Sequence, residues 1–418
     1  MASTFSDELA SYTAGRAKVF GVSIKDRGAV SMAGHAGKAF WFSKASGEFV
    51  TSNYYYERYP DWVEAWNRQR APFEYADTEW TLLHDRSTYL FGEADDQPWE
   101  TVLAGFGRTF PHPFGAGDGP YFTTLLTLSP AGDRLTADFA RALLTDEQLG
   151  QDDVTDYLSV SFSSTDYVGH LFGPSSLEAE DNLLQLDRTI ADLLDFVDRH
   201  VGLDRTLVVL SADHGGPEAP GYLNQLGLPG GYVDPESWDT EPAIEAIRTR
   251  FGIAGDLIEM YAHPYIYLSP EVRDRTRAER GQIEAAVAAA LATFPDVAIA
   301  VASQALASGA VPDLPVYRSV LENFSPKRSG DVFVVFEPNH FINDFDGLVV
   351  ASTHGSPWRY DSHVPMVFAG PGITAQRVAR RVHTTDLAPT LAAIVGASPP
   401  SAAAGAPLPE VLTPGLPR

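Results

Sequence analysis

The stretch YLSVSFSSTDYVGHLFGP, residues 157–174, decides the fold. YLSVSF (157–162) reads as a buried strand, and it runs into a loop that carries Asp166 and His170. Residues 177–199 follow as an amphipathic helix, with Leu183, Leu184, Ile190, Leu193, Leu194 and Val197 near helical spacing. TLVVLS (206–211) is a second buried strand, and it leads straight into Asp213-His214. Strand, helix and strand in that order suit a doubly wound α/β fold, a mostly parallel sheet with helices on both faces.

Toward the N-terminus, residues 7–16 read as a short helix that feeds the buried strand KVFGVSI (18–24). That strand ends at Lys25-Asp26-Arg27-Gly28. Residues 40–125 are rich in aromatics and turns, as in FVTSNYYYERYPDWVEAW (49–66), and read as an insertion rather than a second core. A helical pattern covers about 134–148. Toward the C-terminus, YIYL (265–268), a helix over 279–293 and VAIAV (297–301) make a βαβ cap. DVFVVFEP (331–338) returns to the core, which PMVFAG (365–370) and a helix over 386–395 close. The expected organisation is a core over 1–214 with the aromatic insertion, a cap over 215–330, a return to the core over 331–396, and an irregular Pro- and Ala-rich tail over 397–418.

Of the 418 residues, 44% are apolar and 20% charged, which suits a globular chain with a sizeable core. The net charge of −25 argues against nucleic acid polymers and anionic membranes as partners. An anionic substrate must then be drawn in by local positive charge. No cysteine is present, so any metal must be held by His, Asp and Glu. No apolar run reaches the length of a membrane span, and MASTFSDELASYTAGR lacks the marks of a signal peptide. As encoded, a cytoplasmic location is expected.

Asp166, His170, Asp213, His214 and His354 are the candidate metal ligands. They come from three segments, each following an apolar stretch, and ligands of open α/β sheets gather beyond the carboxyl ends of strands. Carboxylate oxygen and imidazole nitrogen in this mixture suit Zn2+, and a hydrolytic site keeps one position open. Lys25 and Arg27, two residues apart at a strand end, are read as lying on one side of it, where they could hold phosphoryl oxygens. His35, His363 and His383 read as structural, and Tyr54-Tyr55-Tyr56 as packing. No G-x-S-x-G elbow appears, so a serine-hydrolase triad has little support.

KVFGVSIKDRGAV, STDYVGHLFGP, SADHGG, THGSPWRYDSHVPMVFAG and TTDLAPTLA together resemble the alkaline phosphatase superfamily. The likeness is to its PafA-type branch, related to the type I phosphodiesterases and nucleotide pyrophosphatases. That resemblance implies a two-zinc site at the edge of the sheet. Asp166, His170 and His354 would hold the first ion, and Asp213 and His214 would contribute to a second, weaker site. Lys25 and Arg27 match the family's phosphate-contacting Lys-x-Arg pair. Family members carry an N-terminal segment with a central strand, its helix and a Thr or Ser nucleophile, and the resemblance starts after that segment.

The expectation is therefore a zinc-dependent hydrolase of small phosphoric esters that uses metal-bound hydroxide. Phosphodiesters and phosphotriesters are placed ahead of monoesters. A homodimer is expected to cover the sheet edge and face left by the absent strand. The competing reading is a catalytically inactive, truncated homologue that binds metal or phosphate ligands. Relatives of this kind are usually exported.

Overall fold

The computed structural model describes residues 2–345 and 347–412. Val19–Ser23 is its central strand, and every residue of it is buried. It pairs in parallel with Lys38–Ser43 on one side and Tyr157–Ser161 on the other. Glu48–Val50 adds an antiparallel outer edge. Gly21 lets the helix Asp26–Ala33 pack directly on this strand: a Cβ there would come within 2.3 Å of the Ala29 carbonyl oxygen.

The aromatic stretch is no separate body. Phe40, Phe49, Trp66, Trp80, Phe106 and Phe122 share one core with Phe139, Leu143, Val168 and Phe172. Phe49 stacks on Phe139 of the helix Pro130–Asp146, with centroids 4.2 Å apart. Aromatic pairs of this kind add to plain area burial.

The long helix Leu177–His200 departs from its expected face. Leu193 is buried, but Leu183 is 53% exposed and Leu184 is also exposed. Asp181, Gln185 and Thr189 point inward in their place. The cause is the polar edge of the aromatic region. Trp80 Nε1 and the Tyr89 hydroxyl each donate to Asp181 at 2.6 Å.

The α/β class read from the sequence holds, but the core sheet is in two pieces. Val208–Ser211 pairs antiparallel with Met366–Ala369. Among the described residues no ladder joins this pair to the four-stranded sheet. Tyr157–Ser161 is an edge strand, half-buried along its whole length. Leu210 is 39% exposed and Val367 50%.

The cap is a four-stranded antiparallel sheet in the order Val297–Ala302, Val332–Phe336, Tyr265–Leu268, Ile258–Ala262. The expected return to the core at 331 is therefore corrected. Val332–Phe336 lies in the middle of the cap sheet, and both of its faces are covered. Val334 and Phe336 pack toward the helix Arg277–Leu291, whereas Phe333 and Val335 pack toward Val320 on the other face. The strand is uniformly apolar because it is central, and that same pattern made it look like core. The expected strand–helix–strand unit exists in split form, with Val332–Phe336 between its two strands.

Candidate metal centre and its basic flank

The helix Ser164–Phe172 delivers the first two candidate ligands, because Asp166 and His170 are one turn apart. Its start is fixed by Asp133, a fully buried carboxylate that accepts from Ser164 N at 3.0 Å. Burial pushes the Asp133 carboxyl up to about 7, against those hydrogen bonds. The end of the helix is fastened to the segment before His354. Ala351 N and Ser352 N donate to the His170 carbonyl, and His170 Nδ1 lies 2.8 Å from the Ser352 carbonyl. The Ser352 hydroxyl in turn donates to Pro217 O, beyond the Asp213-His214 loop. Asp361 closes the frame. Its Oδ2 accepts from Gly355 N, Ser356 N and the Ser356 hydroxyl, and its carbonyl accepts from Gly215 N.

This frame brings three imidazoles to one carboxylate oxygen. Asp166 Oδ1 lies 3.4 Å from His170 Nε2, 3.4 Å from His354 Nε2 and 3.8 Å from His214 Nε2. Two ligands at zinc bond length in a tetrahedral site are about 3.4 Å apart. The ligand atoms of Asp166, His170 and His354 all lie within 4.8 Å of one another. His214 stacks on His354 with centroids 3.4 Å apart.

The tautomers carry the test of fit. With Nδ1–H of His170 donating to Ser352 O, and that of His214 to Gly215 O, both Nε2 lone pairs face a carboxylate oxygen. That arrangement is repulsive unless a cation is shared there, and backbone-oriented imidazoles of this kind are the usual metal-ligand form. The residues fit a divalent ion, and the nitrogen–oxygen donor set suits zinc. Burial alone would raise the Asp166 carboxyl. The environment of the His170 and His354 rings and the charge of Lys25 outweigh that burial and hold it well below the usual carboxylate range.

The other expected residues fall out unequally. Asp213 is 88% exposed at its side chain and touches only the edge of the group, 3.4 Å from His214 Nε2. His35 pairs with Asp7, and His363 and His383 are exposed. Tyr55 and Tyr56 are packing residues, Tyr56 against Phe40.

Lys25 and Arg27 do not share a strand face as the sequence reading supposed. The strand stops at Ser23, Lys25 caps the next helix, and Arg27 lies in its first turn. Lys25 Nζ is paired with Asp166 Oδ2, so the two carboxylate oxygens of Asp166 have separate tasks. Arg27 is exposed and makes no ion pair among the described residues.

Three positioning residues, Asp133, Ser352 and Asp361, were missed from sequence. Nothing in local spacing marks them, although Asp361 follows Ser356 in the loop that carries His354. From the cap, His263 Nε2 donates to Gly355 O at 3.0 Å and Tyr261 donates to His263 Nδ1. A cavity of about 490 Å³ lies against His354, lined by Tyr261, His263, Phe336, Phe341 and Tyr360.

An α/β sheet with a carboxylate–imidazole cluster at the strand ends and a basic flank beside it defines a class, the metal-centred hydrolase folds. The chain belongs to the type I phosphodiesterase / nucleotide pyrophosphatase family, which matches residues 16–357. It is 35% identical over 416 residues to a protein of Myroides odoratus named calcium-transporting ATPase, covering 99% of this chain and 75% of that one. It is 34% identical over 418 residues to the alkaline phosphatase PafA of Elizabethkingia meningoseptica, covering 98% and 74%. The crystal structure of wild-type PafA superposes with a TM-score of 0.88 at 32% identity, over 98% of this chain and 78% of that one. The resemblance drawn from the motifs to the PafA branch of the alkaline phosphatase superfamily therefore holds.

Proposed function

We propose that this chain is a divalent-metal-dependent hydrolase of small phosphoric esters, with zinc as the metal. The observation that carries this reading is the convergence of His170, His354 and His214 on Asp166 Oδ1. When bound, the ion supplies Lewis acidity and a nucleophile at neutral pH. Asp166, His170 and His354 hold it, and Asp213 and His214 contribute to a second, weaker site. Lys25 keeps Asp166 in register and, with Arg27, binds the oxygens of the ester. The cavity beside His354 takes the alcohol portion, whose apolar part suits its aromatic walls. A second copy of the chain covers the half-exposed sheet edge.

The test is zinc content together with turnover of chromogenic mono-, di- and triesters, before and after His354→Ala. The expected result is one or more zinc ions per wild-type chain and loss of both zinc and turnover in the variant. Unchanged turnover in the variant, resistant to chelators, overturns the proposal. A wild-type protein that binds zinc and phosphate but turns over no ester establishes the inactive, ligand-binding reading instead.

A further inference from the structure

We propose that Lys44 is a third anion-binding side chain of this site, placed to favour substrates whose terminal phosphoryl group carries two negative charges. The inference rests on the hydrolase reading above and narrows its substrate class. Lys44 immediately follows the strand Lys38–Ser43, and the register sets Ser23 opposite Trp41. The ends of three adjacent parallel strands thus deliver Lys44, Lys25 and Asp166 to one edge.

The ring of Tyr167 is where the cations meet. Lys25 Nζ lies 4.1 Å from its centroid and Lys44 Nζ 4.6 Å. The Lys44 backbone is held by a hydrogen bond from Thr123 Oγ1 to its carbonyl. The residue as a whole is exposed, but its ammonium end is crowded. That local burial, then the charges of Lys25 and Arg27, push Lys44 below the ordinary lysine range.

Two features make this arrangement informative. The chain has 55 acidic residues against 30 basic ones, and only five lysines. Even so, among the described residues Lys44 has no carboxylate partner. Lys25 is already answered by Asp166, but Lys44 and Arg27 have no carboxylate partner among the described residues, so an incoming anion relieves the repulsion that Lys25 and Arg27 exert on Lys44. Tyr167 offers its π face and leaves the ammonium N–H groups directed elsewhere. A phosphodiester brings one negative charge and a monoester brings two, so the gain from a third cation is greater for the monoester. This reverses the order of ester classes expected from the sequence.

The experiment compares wild type, Lys44→Gln and Lys44→Arg. Its readouts are kcat/KM for an aryl phosphate monoester and for the methyl diester of the same phenol, and calorimetric binding of inorganic phosphate to the zinc-loaded protein. Lys44→Gln should lower monoester kcat/KM about tenfold, diester kcat/KM less than about threefold, and phosphate affinity about tenfold. Lys44→Arg should restore most of each. Equal losses on both esters, or no change in phosphate affinity, overturns the proposal. If no ester turns over even in wild type, the hydrolase reading fails and the phosphate titration alone decides the role of Lys44.

Discussion

Asp166 Oδ1 lies 3.4 Å from His354 Nε2, while the other oxygen of the same carboxylate is held by Lys25. In the proposed site one oxygen would hold the ion, and the other pairs with a fixed cation. Asp166→Asn keeps the shape but replaces one oxygen with N–H groups, which cannot share a cation with imidazole lone pairs. Zinc affinity should fall at least about 100-fold. Zinc per chain after dialysis, and the loss of zinc-induced thermal stabilisation, check this. Retention of stoichiometric zinc by Asp166→Asn would contradict the geometry.

Asp361 touches none of the candidate ligands through its side chain, yet it holds both loops that carry them. Its Oδ2 accepts three hydrogen bonds from Gly355 and Ser356. Asp361→Ala strands those donors, at a cost of about 1–3 kcal/mol in stability. Zinc affinity should drop roughly 10–100-fold because His354 loses its support. A variant that is less stable but binds zinc as tightly as wild type would reduce Asp361 to a purely structural residue.

Arg27 is exposed, two residues after Lys25, and makes no ion pair among the described residues. Arg27→Ala should leave zinc content and melting temperature unchanged and lower ester kcat/KM about 100-fold. Steady-state kinetics at fixed zinc decide it. An unchanged kcat/KM removes Arg27 from the substrate site.

The half-exposed edge strand Tyr157–Ser161 and the exposed Leu210 and Val367 give the chain apolar sheet surface that water solvates poorly. Sedimentation at micromolar concentration should report a dimer. Leu210→Glu should shift it toward monomer with little change in melting temperature. A stable, non-aggregating wild-type monomer would rule out the second copy.

Uniformly apolar runs made the strands legible. YIYL matches the strand at 265–268, and VFGVS and YLSVS are strands within one residue of their expected limits. The ligands were legible for the same reason, since His214 and His354 follow such runs directly. What failed was the assignment of partners. DVFVVFEP has the pattern of any central strand, and only hydrogen bonding placed it in the cap. The inward face of Leu177–His200 failed too, because Asp181 answers Trp80 and Tyr89 from a distant segment. Lys44 was overlooked because its meaning arises only across Tyr167.

A second titratable cluster lies buried away from the metal site, and it fixes how stability responds to pH. His112 Nδ1 donates to Phe106 O at 3.1 Å, so Nε2 accepts, and its neighbour at 3.1 Å is Glu178 Oε1. Burial pushes His112 down to about 4 and Glu178 up to about 8, so the proton of this contact belongs to the carboxyl. Burial, aided by the Glu178 charge, also lifts Glu100 to about 9. From pH 4.5 to 8 the folded chain holds a proton on Glu178 that the unfolded chain has released, so stability falls as pH rises through that window. His112 acts in the opposite sense between about 4 and 6.5, where the unfolded chain is the one that binds the extra proton. The two cancel below about 6.5. Above about 6.5 both carboxyls contribute unopposed, each with a slope of about 1.4 kcal/mol per pH unit, and from about 7, where Asp133 has also released its proton, to about 8 they act alone. Glu178→Gln supplies an N–H donor to His112 Nε2 without an ionisable proton. Chemical denaturation at several pH values should show a wild-type decline from about pH 7 to 8, and roughly half that slope over the same window in Glu178→Gln. Equal slopes in the two proteins would mean that Glu178 is already ionised in the folded state, and the hydrogen bond to His112 would then have to run the other way.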